Sequence, residues 1–481
     1  MDSLGNRFAT VAQASGDATA LVIDDIPYSY TTLQSDVGKA QQLLTDAGVQ
    51  PGQCVAVMFS NGYDFIVFAL ASFTAGAVLL PVNNSYQPEE IQYYLEHADV
   101  KLVCGPRSLS SVSEYVFNHA IPWLDENALS QVQEPMAVSP CHKGGMYLYS
   151  SGSTGKSKRV FRTQQALLDE FDVMSSLLGT SAADNVLCTL PLYHSHGFSN
   201  GLLMALLSGA TCILLTNEFN GRKTLQALAD HHITLYPAVP FMYQIMALAN
   251  FKSLPDLSAL RHCFSAGAPL SPKIFNDFYA KTGHYIGQIY GSSETGVICC
   301  NTSPTPENAA TVGNPIPCVD LEIRGDDGNL LADGEEGEIW VHSPAMTHQY
   351  DGMPEATKEN FVGGWFCTGD LGVCGESGVS VTGRKKLLIN VAGNKVDPLE
   401  VESLLNSHAL IEESVVVAKP HEVYGEQVVA YVVLLPDRQI TVDDLYQFIK
   451  GKLVEYKVPK QIVFLQAIPK SPLGKVLRKY L

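Results

Sequence analysis

The chain is 481 residues long, enough for two to four folding units at about 100–200 residues per domain. Hydrophobic residues make up 46 % and charged residues 17 %, a balance that excludes disorder and provides for a large buried core. With 31 Lys and Arg against 49 Asp and Glu, the net charge is −18, the wrong sign for coating nucleic acid or anionic lipid.

At the N-terminus, MDSLGNRFAT lacks the apolar stretch of a signal peptide, so a cytoplasmic protein is expected. Residues 54–59 predict a strand, and a helix pattern starts at Tyr63. Residues 65–82 (FIVFALASFTAGAVLLPV) are long enough to raise a membrane span. Ser72, Thr74, Gly76 and Pro81 interrupt them and no basic residues flank them, so a buried helix followed by a buried strand is expected. Residues 202–215 break in the same way at Ser208-Gly209. Residues 146–150 predict a strand running into a Gly/Ser/Thr loop, after which Phe171, Met174 and Leu178 fall on one helical face. Further strands are expected at 186–190 and 211–215.

This alternation predicts an α/β protein whose large N-terminal domain is built of doubly wound α/β subdomains. Past Leu321, Asp327-Gly328 and Asp333-Gly334 punctuate short strands, as in a β-rich subdomain. The tail predicts strands at 414–418, 428–435 and 462–465 and a helix near 442–453, a small α+β unit. Residues 384–481 hold 14 Lys/Arg and 11 Asp/Glu, a net of +3, which leaves −21 on the rest. The expected division is therefore 1–383 and 384–481. None of the eleven cysteines is spaced CxxC, so reduced, mostly buried thiols are expected.

The strongest local signal is Ser150-Ser151-Gly152-Ser153-Thr154-Gly155-Lys156-Ser157-Lys158. Its end looks like a Walker A loop, but Ser150 stands where that loop needs glycine, which argues against a P-loop NTPase. A Gly- and hydroxyl-rich turn with two lysines can still wrap phosphate oxygens. Taken alone, it could equally be a surface loop. Further motifs follow in order: Ser265-Ala266-Gly267-Ala268-Pro269-Leu270, Tyr290-Gly291-Ser292-Ser293-Glu294-Thr295, and Gly337-Glu338-Ile339-Trp340-Val341. Then come Trp365-Phe366-Cys367-Thr368-Gly369-Asp370, Gly383-Arg384-Lys385-Lys386 and Pro469-Lys470-Ser471-Pro472-Leu473-Gly474-Lys475. This ordered set spans nearly the whole chain. It resembles the adenylate-forming superfamily of acyl- and aryl-CoA synthetases, luciferase and peptide-synthetase adenylation domains, and is closest in pattern to the acyl-/aryl-CoA ligases.

The resemblance implies an ATP- and Mg²⁺-dependent ligase that converts a carboxylic acid to acyl-AMP and then transfers it to a phosphopantetheine thiol. In-line attack on the α-phosphorus builds negative charge on anionic groups, so cations and N–H donors must stand ready. By resemblance, Ser151, Gly152, Ser153, Thr154, Gly155 and Lys158 hold the triphosphate. Glu294 holds Mg²⁺, and the Ser293 hydroxyl reaches the α-phosphate. Gly267, Ala268, Tyr290 and Gly291 border adenine, while Asp370 accepts the ribose hydroxyls with Arg384 nearby. Lys475 enters from the small domain to neutralise the carboxylate–phosphate encounter, Lys386 is the hinge, and Gly393 borders the thiol channel. Singly, each has a plainer reading: Asp370 a turn cap, Glu294 a solvated helix start, Tyr290 core, Lys475 a solvated charge. Their order is what argues for chemistry.

Ser157, Arg159 and Gln164 stand where the family usually has Pro, Gly and His, and Arg159 is expected to add bulk and charge to the turn. Pro191-Leu192-Tyr193-His194-Ser195-His196-Gly197-Phe198 occupies the acyl-pocket motif and contains no acid, which argues against amino acid substrates. The resemblance puts His194 between ATP and the carboxylate and makes Ser195, Gly197, Phe198 and Ile289 pocket residues; His196 stays unassigned. Ile289 stands where relatives that admit long acids often have Gly, so a small aryl or short apolar acid is favoured. Coenzyme A is the preferred acceptor. An acyl-carrier-protein ligase remains open, as do amino acid adenylation and a catalytically dead binding module. No nucleic acid partner and no membrane span are expected.

Overall fold

The computed structural model describes residues 3–86, 88–133, 141–150, 158–391, 394–421, 425–471 and 476–481. They form two compact units, one of Met1–Leu321 with Val341–Phe366 and one of Glu322–Trp340 with Cys367–Leu481. The first unit contains two sheets. A six-stranded sheet runs Trp123–Leu124, Val100–Cys104, Cys54–Val57, Val78–Pro81, Gly145–Ser150, Lys158–Thr163, parallel except for its last pair. A nine-stranded sheet has Leu235–Ala238 in its parallel middle, flanked by His262–Ser265 and Asn185–Cys188. It turns antiparallel at the Gly287–Ser292 and Gly296–Cys300 pair.

Strands buried on both faces read as unbroken apolar runs, and Cys54–Val57 and Leu235–Ala238 are buried at every residue. The membrane-like composition of residues 65–82 has the same origin. Helix Tyr63–Thr74 is buried continuously from Phe65 to Thr74, and strand Val78–Pro81 follows it. The Ser72 and Thr74 hydroxyls donate to the carbonyls of Phe68 and Leu70, both at 2.8 Å, so neither is left unsatisfied in the core. No helix among the described residues is long and apolar enough to cross a membrane. All eleven cysteines are free thiols and eight of them are buried, as composition led us to expect.

Strand Lys158–Thr163 runs directly into helix Gln164–Leu178, whose N-cap Thr163 accepts from the Ala166 amide at 3.1 Å. The inward face carries Leu167, Phe171, Met174 and Leu178, and Gly179 closes the helix in the left-handed conformation. Gln164, at the position where the family usually has histidine, is itself buried. Its amide donates to the carbonyls of Phe73, Cys141 and Lys143, and its oxygen accepts from Leu4.

Two charges share this core. Arg162 is 1 % exposed and donates to Glu170 Oε2 at 2.9 Å, while Glu170 Oε1 accepts from the Val297 amide at 3.2 Å. The pair thus joins the end strand of the six-stranded sheet, the following helix and a strand of the nine-stranded sheet.

The second unit begins with the β-rich segment expected past Leu321; Gly328 and Gly334 occupy its turns at φ +81° and +88°. Its C-terminal part is a five-stranded sheet built around Gly425–Leu434, with Ile411–His421 antiparallel and Gln461–Phe464 parallel to it. Helices Pro398–Asn406 and Val442–Ile449 contribute Val401, Leu405, Leu445 and Ile449 to its core.

Breaking a buried ion pair on one side strands the other charge in low dielectric, at a cost of about 3–5 kcal/mol. Glu170→Ala is expected to lower the unfolding free energy from urea titration by that order, and the Arg162→Met/Glu170→Met double substitution to recover most of the loss. Additive losses in the double variant would show that the two charges are not coupled.

Candidate active site

The phosphate-loop candidates Ser151, Gly152, Ser153, Thr154 and Gly155 lie outside the described residues. The hairpin that carries them is described: Ser150 stands opposite Lys158, and the ladder continues to Gly145 opposite Thr163. At its near end, the Lys158 ammonium lies 4.3 Å from the centroid of the Tyr350 ring, within cation–π range. Tyr350 is bridged to Val160 through the backbone, and its amide donates to Thr357 Oγ1 at 3.0 Å. Its phenol donates to Glu294 Oε1 at 2.9 Å.

Glu294 is 7 % exposed and sits in the turn that joins Gly287–Ser292 to Gly296–Cys300, so the solvated helix start considered for it is replaced by a buried turn. Ser292 shapes that turn, accepting at Oγ from the amides of Glu294 (3.2 Å) and Thr295 (3.3 Å). The Glu294 carbonyl accepts from the Thr347 amide at 2.7 Å. Gly296 closes the turn at φ +72°, and a Cβ there would come within 2.5 Å of Glu170 Oε2. The buried ion pair therefore lies directly beneath the turn. Ser293 and Tyr290 are half-buried on the same hairpin and Gly291 is exposed. Ile289 is buried opposite Cys300. Gly267, at φ +82°, and Ala268 are exposed just after strand His262–Ser265.

Asn61 clamps the start of the acyl-pocket motif: its amide donates to the Leu190 carbonyl (2.8 Å) and its oxygen accepts from the Leu192 amide (2.9 Å). From His196 to Leu203 the backbone is π-helical, a conformation enriched at functional sites. His194 and Ser195 are half-buried ahead of it. The His194 ring tilts against Tyr193 at 5.0 Å, and Tyr193 meets Tyr86 at 6.3 Å. Burial pushes the Tyr193 phenol up to about 12 and raises that of Tyr86 as well, so both stay neutral. Gly197 and Phe198 are buried, with Phe198 lying in the core between Phe65 and Phe73.

His196, unassigned from sequence, is fixed from both sides. Its Nε2 meets the Ala238 carbonyl at 3.1 Å, and Nδ1 meets the Asn200 side-chain nitrogen at 3.1 Å. A carbonyl can only accept and an amide nitrogen only donate, so the imidazole is the neutral Nε2–H tautomer. The Ala238 carbonyl also accepts from the Ala266 amide at 3.2 Å, which links the π-helix to the turn carrying Gly267. Arg159 corrects the sequence expectation. It belongs to the strand, opposite Tyr149, rather than to the turn; it stacks on Tyr147 at 4.6 Å, lies near Asp351 and donates to the His97 carbonyl.

In the second unit, Asp370 and Arg384 are directly opposite on paired strands, with Arg384 Nε 3.3 Å from Asp370 Oδ1. The Asp370 amide donates to Thr368 Oγ1 and the Gly369 amide to Glu338 Oε1, which fixes the strand just before the carboxylate. Lys385 pairs with Asp326 and Glu338. Lys386 belongs to the short helical turn Lys385–Leu387; its side chain, Gly393 and Lys475 lie outside the described residues.

Residues 8–351 match the AMP-binding enzyme family, and residues 400–475 match the AMP-binding enzyme C-terminal domain. The chain belongs to the AMP-binding enzyme family. Among its relatives, the indoleacetate–CoA ligase of Aromatoleum aromaticum is 32 % identical over 95 % of this chain and 93 % of its own. The oxalate–CoA ligase of Arabidopsis thaliana is 29 % identical over 99 % and 98 %. ATP-bound MatB of Rhodopseudomonas palustris superposes with a TM-score of 0.92 at 27 % identity, covering 99 % of this chain and 98 % of that one. The expected adenylate-forming fold and ligase class are thereby borne out. Within this AMP-binding enzyme, no cluster of three or more metal-ligating side chains exists among the described residues. A lone buried carboxylate fits Mg²⁺ held mainly by phosphate oxygens and water.

Burial lowers the His196 pKa from 6.5 to about 4. The unfolded chain takes up that proton first as pH falls, so stability is full above about pH 6.5 and declines towards pH 4. His196→Gln is expected to lose less stability than the parent between pH 7 and pH 5 in urea titrations. An identical acid-side slope would mean that His196 is not held neutral.

Proposed function

We propose that the protein activates a small aryl or short apolar carboxylic acid with ATP and transfers the acyl group to the thiol of coenzyme A. The observation that carries this reading is the arrangement of Lys158 and Glu294 on one buried tyrosine: a cation for phosphate oxygens and a carboxylate for their metal ion. Bound Mg²⁺ would neutralise charge on the triphosphate as the carboxylate attacks the α-phosphorus. Ser151, Gly152, Ser153, Thr154, Gly155 and Lys158 would hold the triphosphate and Ser293 the α-phosphate. Gly267, Ala268, Tyr290 and Gly291 would border adenine, and Asp370 with Arg384 the ribose. Lys475 would serve the first half-reaction from residues 384–481, with the hinge at Lys386 and Gly393 beside the thiol channel. We take the enzyme to be cytoplasmic.

The acid pocket would lie between His194 and Ile289, walled by the neutral rings of Tyr193 and Tyr86. Names of relatives do not choose the acid, since they span indoleacetate, oxalate and long-chain fatty acids. The buried Ile289 and the aromatic wall favour a compact or aryl substrate. A carrier-protein acceptor is the second reading, favoured by likeness to the fatty acid–[acyl-carrier-protein] ligase ScoC of Streptomyces coeruleorubidus, 28 % identical over 98 % of this chain.

Carboxylate-dependent ATP–pyrophosphate exchange over a panel of aryl, fatty and amino acids tests the activity. Thioester formation on coenzyme A against a phosphopantetheinylated carrier then tests the acceptor. Lys475→Ala is expected to lose about 10²–10³ in exchange while still consuming preformed acyl-adenylate with the thiol. Unimpaired exchange would overturn the assignment of Lys475.

Ile289→Ala keeps a side chain on the strand and opens the pocket by three carbons. A few methylenes of apolar contact are worth about tenfold or more in selectivity, so preference is expected to move towards bulkier acids by that order. An unchanged ranking of acids would put Ile289 outside the pocket.

A further inference from the structure

Lys158, at the start of a strand, and Glu294, in a turn, carry opposite charges, and two such groups left to themselves would pair. Tyr350 stands between them instead. Its ring face takes the Lys158 ammonium at 4.3 Å, and its hydroxyl donates to Glu294 Oε1 at 2.9 Å. The tyrosine is itself over-determined. It is 3 % exposed and bridged to Val160; its amide bonds Thr357 Oγ1, and its ring packs edge-on against Phe361 at 5.4 Å. Three residues before it, the Thr347 amide holds the Glu294 carbonyl, so one segment fixes both the backbone and the side chain of Glu294.

We propose that Tyr350 is a positioning residue with two separable tasks. Its hydroxyl orients the Glu294 carboxylate for the metal ion, and its ring holds the Lys158 ammonium towards phosphate and away from Glu294. The inference rests on the functional reading above and adds to it a residue and a division of labour. The two tasks use different parts of one side chain, so substitution can separate them. Tyr350→Phe removes only the hydroxyl and keeps the ring. Tyr350→Leu removes both and keeps an apolar side chain at this core position. Losing one hydrogen bond to a charged group is worth about tenfold in the affinity that depends on it.

The experiment measures the Mg²⁺ concentration for half-maximal exchange, and the KM for ATP at saturating Mg²⁺. Binding of Mn²⁺ together with α,β-methylene-ATP, followed by electron paramagnetic resonance, gives a readout independent of turnover. For Tyr350→Phe, the metal requirement is expected to rise about tenfold and Mn²⁺ binding to weaken alike, with the KM for ATP within about twofold of the parent. For Tyr350→Leu, the KM for ATP is expected to rise as well. Glu294→Gln serves as the reference. If Glu294→Gln alters metal binding and Tyr350→Phe does not, the positioning role is overturned while the metal role of Glu294 stands. If Glu294→Gln leaves metal binding unchanged, the functional reading of Glu294 fails, and the proposal fails with it. A Tyr350→Leu variant that changes only metal dependence overturns the role assigned to the ring.

Discussion

The buried pair of Arg162 and Glu170 is the constraint on which the site depends. A charge taken out of water must be matched or it destabilises the fold, and here the match is made across three elements. Arg162 comes from the hairpin that carries the glycine-rich loop. Glu170 comes from the helix that follows, and its second oxygen is spent on the amide of Val297. The Ser293-Glu294-Thr295 turn therefore cannot shift relative to the hairpin without uncovering a buried charge. An apolar contact would tolerate a slip of an ångström; a hydrogen-bonded ion pair in low dielectric would not.

Above that foundation several polar groups around the candidate site stand in short local networks. Ser292 ties the turn, Thr347 holds its carbonyl, Asn61 clamps the approach to the acyl motif and His196 ties the π-helix to the central strand Leu235–Ala238. Where a side chain meets a main-chain carbonyl on one side and an amide nitrogen on the other, donor and acceptor are settled, as for the neutral imidazole of His196. In the second unit the Asp370–Arg384 pair stands on adjacent strands, held by their register rather than by a loop.

The fold was legible where apolar pattern and burial coincide. The run at 65–82, the helical face of Phe171, Met174 and Leu178, and the break at Ser208-Gly209 all follow from periodicity and glycine chemistry. The family was legible because seven short motifs keep their order. What could not be read was which side chains pair across long stretches of sequence. Arg162 and Glu170 look like ordinary helix-flanking charges, and nothing marks Tyr350, 56 residues beyond Glu294, as that residue's partner. Arg159 was misread as part of the turn because the strand that starts at Lys158, opposite Ser150, has no apolar run to announce it. His196 had no assignment because its role depends on the carbonyl of Ala238, and main-chain acceptors have no signature in sequence.

The electrostatic logic then joins the two scales. A body carrying −21 outside residues 384–481 repels ATP, coenzyme A and an acidic carrier alike, so net charge does not recruit them. Beyond about 8 Å at physiological salt that repulsion is screened, and binding rests on the few charges placed at the site. Those charges must not neutralise one another before a ligand arrives. Arg162 is already committed to Glu170, whereas Lys158 and Glu294 are kept on different parts of Tyr350. The local charges of the acidic body are thus arranged in two ways: Arg162 and Glu170 meet directly in the core, while Lys158 and Glu294 contact different parts of one tyrosine.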